Sequence, residues 1–195
     1  MTRNQQRLYE TAEAQAGYFG YRQAIECGYS SPTHVYHVGT GAWIREYRGI
    51  YRLARFPAAP DGHYALWTLW SCSRDGEPQG VYSHQTALSI HELSDVMPSK
   101  LHMTVPLRFR RNAAVPKILI LHKDDLPSAD VERRHGYAVV KPLRAIADLL
   151  REGKESRDRL RQALSEGMGR GVIARTELAR HPDSKALEKL LKGDG

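Results

Sequence analysis

The chain has 195 residues, of which 41% are hydrophobic and 26% charged, and its formal net charge is +7. This length allows one domain or two small ones with real cores, and the composition is that of an ordinary globular chain. The charge favours a polyanionic partner, such as nucleic acid or an anionic membrane face, or else marks a plain soluble basic protein; no apolar run is long enough to span a bilayer.

Two cysteines, Cys27 and Cys72, match no metal-ligand spacing and give no disulfide framework, so a reduced, cytoplasmic setting is expected. The first residues, "MTRNQQRLYETAEAQ", are polar and lack the apolar centre of a signal peptide. "NQQRLYETAEAQAG" reads as a helix, with Leu8, Ala12 and Ala16 at helical spacing and Gly17 as its stop. "YRQAIECGYSS" reads as a second, short helix ending at Gly28. "SPTHVYHVG" reads as a third, with Ser31 as N-cap, Pro32 in the first turn and Gly39 as the stop. "WIREYRGIYRL" then holds two β-prone runs around Arg48-Gly49, a hairpin signal.

"RFPAAPDGH" is the best boundary candidate, and beyond it the pattern changes. "YALWTLWSC" and "GVYSHQTALSIHEL" mix strand and helix signals. "KLHMTVP", "PKILILHK" and "YAVV" read as strands. "KPLRAIADLLREG", "SRDRLRQALSEGM" and "DSKALEKLL" read as amphipathic helices. The expected fold class is α+β. A winged helix-turn-helix of three helices and a β-hairpin wing spans 1–57, and a larger mixed α+β domain ending in helices spans 58–195.

Stepping 100° per residue along the third helix puts Val35 and Val38 on one side. Thr33, Tyr36, His37 and Thr40 fall on the other, with His34 flanking and Ser31 near the apolar side. A recognition helix needs such a face, because base edges present donors, acceptors and thymine methyls; a small solvated helix is the alternative. With Arg48-Gly49 as a two-residue turn, Arg45 stands opposite Arg52, and Ile44 opposite Leu53. Opposed like charges cost about 0.2–1 kcal/mol, and a phosphate backbone would turn that cost into attraction. Arg48 at the tip is placed to reach a groove or a phosphate. The candidate DNA-binding residues are therefore Ser31, Thr33, His34, Tyr36, His37, Thr40, Arg45, Arg48 and Arg52.

Four further cations, Arg108, Arg110, Arg111 and Lys117, form a candidate second basic patch, or a solvated basic loop. The mixed charges of "REGKESRDRLRQ" read as an exposed helix face, and Trp67 and Trp70 read as core. His84 and His91 lack the i, i+4 spacing of a zinc helix, and His84 reads as a buried, hydrogen-bonded residue at a helix start. His102, His122 and His135 with Asp124 and Asp125 are followed by no nuclease-like acidic pattern, so no active site, metal or cofactor is expected.

Several stretches taken together, "AIECGYSSPTHVYHVGTGAWIREYRGIYRLARFP", "VYSHQTALSIHELSD", "LHMTVP" and "VVKPLRAIADLL", resemble the AbiEi family of antitoxins from type IV toxin–antitoxin (abortive infection) systems. The Arg-Gly-Ile-Tyr-Arg-Leu run and the Ser-His-x-x-Ala-Leu helix are its most specific parts. The resemblance implies a non-enzymatic antitoxin whose winged helix binds inverted repeats in the promoter of its own operon and represses it. It implies two partners: operator DNA, taken by two copies of a solution monomer, and a nucleotidyltransferase-like toxin that the larger domain counters. The other reading of the same features is a protein-interaction module that inhibits a partner enzyme by direct contact.

Overall fold

A computed structural model describes residues 1–95 and 98–193. The fold is α+β, with helices and two sheets. The chain divides into two compact units. One comprises Met1–Gly80 with Arg133–Ala138, and the other Val81–Glu132 with Val139–Gly195. Among the described residues, no helix is long and apolar enough to cross a membrane.

The first unit begins with α1 (Arg3–Glu13). Thr2 and Gln5 cap it reciprocally: Thr2 N–H donates to Gln5 Oε1 at 2.7 Å and Gln5 N–H donates to Thr2 Oγ1 at 3.3 Å, which satisfies two amides that a helix start leaves without partners. Strand β1 (Tyr18–Gly20) follows, then α2 (Tyr21–Glu26) and α3 (Ser31–Gly39). The turn between these two helices passes through Gly28 at φ 93°, where an added Cβ would lie 2.6 Å from the Asn4 side chain. Strands β2 (Trp43–Tyr47) and β3 (Ile50–Leu53) make a hairpin, and β1 pairs with the far edge of β3 to give the order β1-β3-β2. Leu8, Ala12, Phe19, Ala24, Cys27, Trp43 and Tyr51 form the core of these elements.

The expected boundary at 57/58 lies inside this unit, because α4 (Gly62–Trp70) belongs to it. The Trp67 ring of α4 meets Tyr47 edge-on at 5.4 Å, and Tyr64 meets Tyr137 at 5.0 Å. The proline-rich stretch is thus a turn within a packed unit rather than a linker between units.

In the second unit β4 (Val81–Tyr82) leads into α5 (His84–Ile90). Then come β5 (Leu101–Val105), β6 (Leu119–Lys123), a 3-10 turn at Ser128–Asp130, β7 (Val131–Arg134) and β8 (Tyr137–Val140), of which Arg133–Arg134 and Tyr137–Ala138 count with the first unit. The sheet order is β6-β5-β4-β8-β7, with β5 parallel to β6 and antiparallel to β4. Strand β5 is buried along most of its length, whereas the edge strand β6 fully buries only Leu119. Helices α6 (Pro142–Glu152), α7 (Arg157–Gly169), α8 (Arg175–Arg180) and α9 (Ser184–Lys192) complete the chain. Helix α6 packs on α5 and α7, burying Leu143, Ile146 and Leu149.

Candidate functional site

The hairpin corrects the expected strand register. The turn lies at Arg48-Gly49 and Tyr47 pairs with Ile50, as the sequence suggests. Gly49 has φ 74°, which a side chain would resist. Between Arg45 and Tyr47 the ladder slips, so Arg45 faces Tyr51, Ile44 faces Arg52 and Trp43 faces Leu53. A bulge places two residues opposite one and shifts everything beyond it, so the Arg45–Arg52 opposition does not form. Arg52 instead donates from Nε to Glu46 Oε1 at 2.8 Å. Arg45 and Arg48 stay exposed.

Helix α3 also turns differently from expectation. His34 is 2% exposed, whereas Val35 is 76% and Tyr36 65% exposed. The inward stripe is His34, His37 and Val38. His34 lies edge-on to Tyr21, Trp43 and Tyr51 at 4.8, 5.3 and 5.6 Å, and its Nε2 is 3.3 Å from the Tyr29 carbonyl. His37 stacks on Trp43 at 4.7 Å, and burial, with His34 adding, lowers its pKa. The helix keeps the expected period, but its phase differs. Stripes 34/37/38 and 35/38 share the same spacing, and the Trp43 ring takes imidazoles where aliphatic side chains were expected.

Of the nine predicted residues, Ser31, Tyr36, Thr40, Arg45 and Arg48 are exposed, and Thr33, His37 and Arg52 are half-buried. His34 belongs to the packing of the unit and is no surface contact. Ser31 Oγ pairs with the Tyr21 hydroxyl, and Thr33 Oγ1 donates to the Ser30 carbonyl. Pro32, Val35 and Gly39 join Tyr36 and Thr40 on the outer face. Arg108, Arg110, Arg111 and Lys117 are all exposed, between β5 and β6 in the second unit.

The second unit holds a cluster that sequence spacing did not reveal. His102 and His122 sit on neighbouring parallel strands, where His122 pairs with Thr104 and His102 with Ile120, so both lie on one sheet face. His84 opens α5 and Glu152 closes α6. Glu152 Oε1 lies 3.2 Å from His84 Nε2 and 3.1 Å from His122 Nδ1. An ionised carboxylate can only accept, so both nitrogens carry protons and donate. His122 Nε2 then accepts from His102 Nδ1 at 3.0 Å. His84 Nδ1 is 2.9 Å from Ser83 Oγ, which accepts from Thr104 Oγ1 at 2.8 Å.

Burial lowers the His84 pKa to about 4, with His122 adding to it and Glu152 opposing. Burial lowers that of His102 to about 4 as well, with His122 and His84 adding. His122 is lowered by burial against the pull of Glu152. Burial would raise Glu152, but His84, His122 and Lys154 outweigh it and hold the carboxyl below its ordinary range. At neutral pH the imidazoles are neutral and the carboxylate is ionised.

Beside the cluster, Arg144 Nε donates to Asp148 Oδ2 at 2.8 Å and its Nη1 to Asp130 Oδ2 at 3.1 Å, while Nη2 pairs with Asp124. These carboxylates hold the guanidinium pKa above its ordinary value, though burial opposes them. Burial raises the Asp148 carboxyl, against Arg144. His84, His122, Glu152, Arg144 and Asp148 line one cavity of about 310 Å³.

No family model matches the chain, and no curated protein matches it. Among solved structures, the crystal structure of the RV2827C protein from Mycobacterium tuberculosis is similar, with a TM-score of 0.56 and 14% sequence identity. The likeness covers 99% of this chain and 72% of that one. The likeness is one of fold. It extends along nearly the whole chain and, at this identity, carries no chemistry from one protein to the other.

Proposed function

We propose that the first unit is a winged helix-turn-helix that binds duplex DNA, and that the chain is a transcriptional autorepressor and antitoxin of the AbiEi type. The observation that carries the DNA-binding reading is the exposed outer face of α3, following α2 across a short glycine-containing turn and flanked by a β-ribbon with Arg45 and Arg48 exposed. A helix of this kind reads base edges with its outward side chains, and a ribbon beside it holds the phosphate backbone. Tyr36 and Thr40 supply hydroxyls, and Val35 supplies an apolar contact for a thymine methyl.

The register correction narrows the set of phosphate contacts. Arg45 and Arg48 carry them, while Arg52 is engaged by Glu46. Most of the affinity comes from these cations and falls steeply with salt. The antitoxin role rests on the sequence resemblance and assigns the second unit to countering a nucleotidyltransferase-like toxin.

A gel-shift titration with the DNA upstream of the chain's own reading frame tests the DNA-binding reading. The expected result is a shift at lower protein concentration than on scrambled duplex, and equal, weak binding to both would overturn it. Coexpression with the neighbouring toxin gene tests the other half, with restored growth expected.

A further inference from the structure

The His84–His122–Glu152 cluster belongs to neither the DNA-binding face nor the ion network of Arg144. The ligand atoms of these three residues lie within 4.8 Å of one another. We propose that they bind one divalent transition-metal ion of the zinc class, with the fourth position open to the cavity that all three line. Two imidazoles and one carboxylate form a borderline nitrogen–oxygen donor set that suits Zn2+. A site of three protein ligands leaves one position for water.

Two independent features point the same way. The imidazole nitrogens turned away from Glu152 are held by outer partners, His84 Nδ1 by Ser83 Oγ at 2.9 Å and His122 Nε2 by His102 Nδ1 at 3.0 Å. Metal-binding histidines are oriented in this way through their second nitrogen. His84 has φ 52°, a left-handed backbone in a residue with a Cβ, and such strain persists where a side chain must be held in a set direction. The two ligand rings themselves stack at 3.6 Å with 14° between their planes. Stacking puts two neutral donors side by side over one carboxylate oxygen.

Filling the site takes a defined rearrangement. Parallel rings cannot both aim a lone pair at one ion in their own planes, so His84 and His122 tilt apart. The metal replaces the two N–H protons that now face Glu152. Each proton is relocated to the ring's other nitrogen, His84 Nδ1–H donating to Ser83 Oγ and His122 Nε2–H to His102 Nδ1. His102 then carries its own proton on Nε2. Each imidazole stays neutral throughout, so the exchange moves protons without releasing any.

The test is a Zn2+ titration of untagged, EDTA-stripped and dialysed protein, followed by calorimetry, with Co2+ absorption as a second readout. The expected result is one equivalent bound and the absorption of a four-coordinate Co2+ site. His122→Ala and Glu152→Gln each abolish that equivalent, and His102→Ala weakens it about 10–100-fold. Circular dichroism checks that each variant is folded; Glu152 is partly exposed and Glu152→Gln keeps its shape, so this variant decides if the histidine variants unfold. No binding by the wild type, or one equivalent retained in Glu152→Gln with its affinity unchanged, would overturn the site.

Discussion

Arg52 Nε and Glu46 Oε1 are 2.8 Å apart across the β2–β3 hairpin, and this ion pair replaces the clash of like charges that an even ladder would have created. The bulge at Glu46 brings the carboxylate to Arg52 and leaves Arg45 facing Tyr51. Both side chains are about one quarter exposed. The pair therefore contributes no more than about 1 kcal/mol to stability. Glu46→Gln should leave folding nearly unchanged while releasing Arg52 toward phosphate. Fluorescence anisotropy at several salt concentrations should show tighter DNA binding and a salt slope steeper by about one. An unchanged slope would mean that Arg52 stays out of reach of DNA whatever its partner.

The two faces of α3 predict opposite phenotypes. His34→Ala opens a void among Tyr21, Trp43 and Tyr51 and should cost about 2–4 kcal/mol, read from a urea midpoint. Tyr36→Ala removes an exposed ring and should change stability by less than about 0.5 kcal/mol. Its effect should appear instead as a loss of preference between specific and scrambled duplexes of about 1–3 kcal/mol.

Much of the fold was legible in the sequence because its signals are local. The third helix and the Arg48-Gly49 turn rest on their immediate neighbours and lie within a residue of where the sequence puts them, with Ser30 rather than Ser31 as the helix N-cap and Thr40 rather than Gly39 closing it. What depended on distant partners was not legible. The phase of α3 is set by Trp43, which lies beyond the helix, and the ladder is shifted by a bulge that alternation does not announce. The histidine cluster joins residues 84, 102, 122 and 152, and only the β5–β6 register and the end of α6 bring them together. No spacing rule spans such distances. Strand β1, three residues long, gave no sequence signal at all.

Arg144 is engaged by three carboxylates of the second unit, Asp124, Asp130 and Asp148. Arg144→Ala leaves Asp148, which is nearly buried, without its main partner. This should cost less than the roughly 3–5 kcal/mol of a fully stranded buried charge, because Arg151 Nη1 stays 3.0 Å from Asp148 Oδ1; urea unfolding reads the loss. Arg144→Lys should recover part of that loss, since an ammonium cannot bridge three carboxylates as a guanidinium does.

The imidazole cluster makes stability depend on pH. In metal-free protein, kept so with EDTA, His84 and His102 titrate near 4, against 6.5 for a free imidazole. Between those values the unfolded chain binds protons that the folded chain does not, so stability falls as pH falls. Glu152, held below its ordinary range, adds its own loss at lower pH still. The urea midpoint should be lower at pH 5 than at pH 7, and His102→Ala should flatten the difference.

The measurement that bears most directly on the DNA-binding reading is anisotropy on two duplexes, the chain's own upstream region and a scrambled copy, across a salt series. The wild type should bind the upstream duplex more tightly, and both affinities should fall steeply with salt. Arg48→Ala should weaken both equally and reduce the salt slope by about one, while Tyr36→Ala should narrow the ratio between them. Binding that ignores salt, or that neither substitution changes, would contradict it.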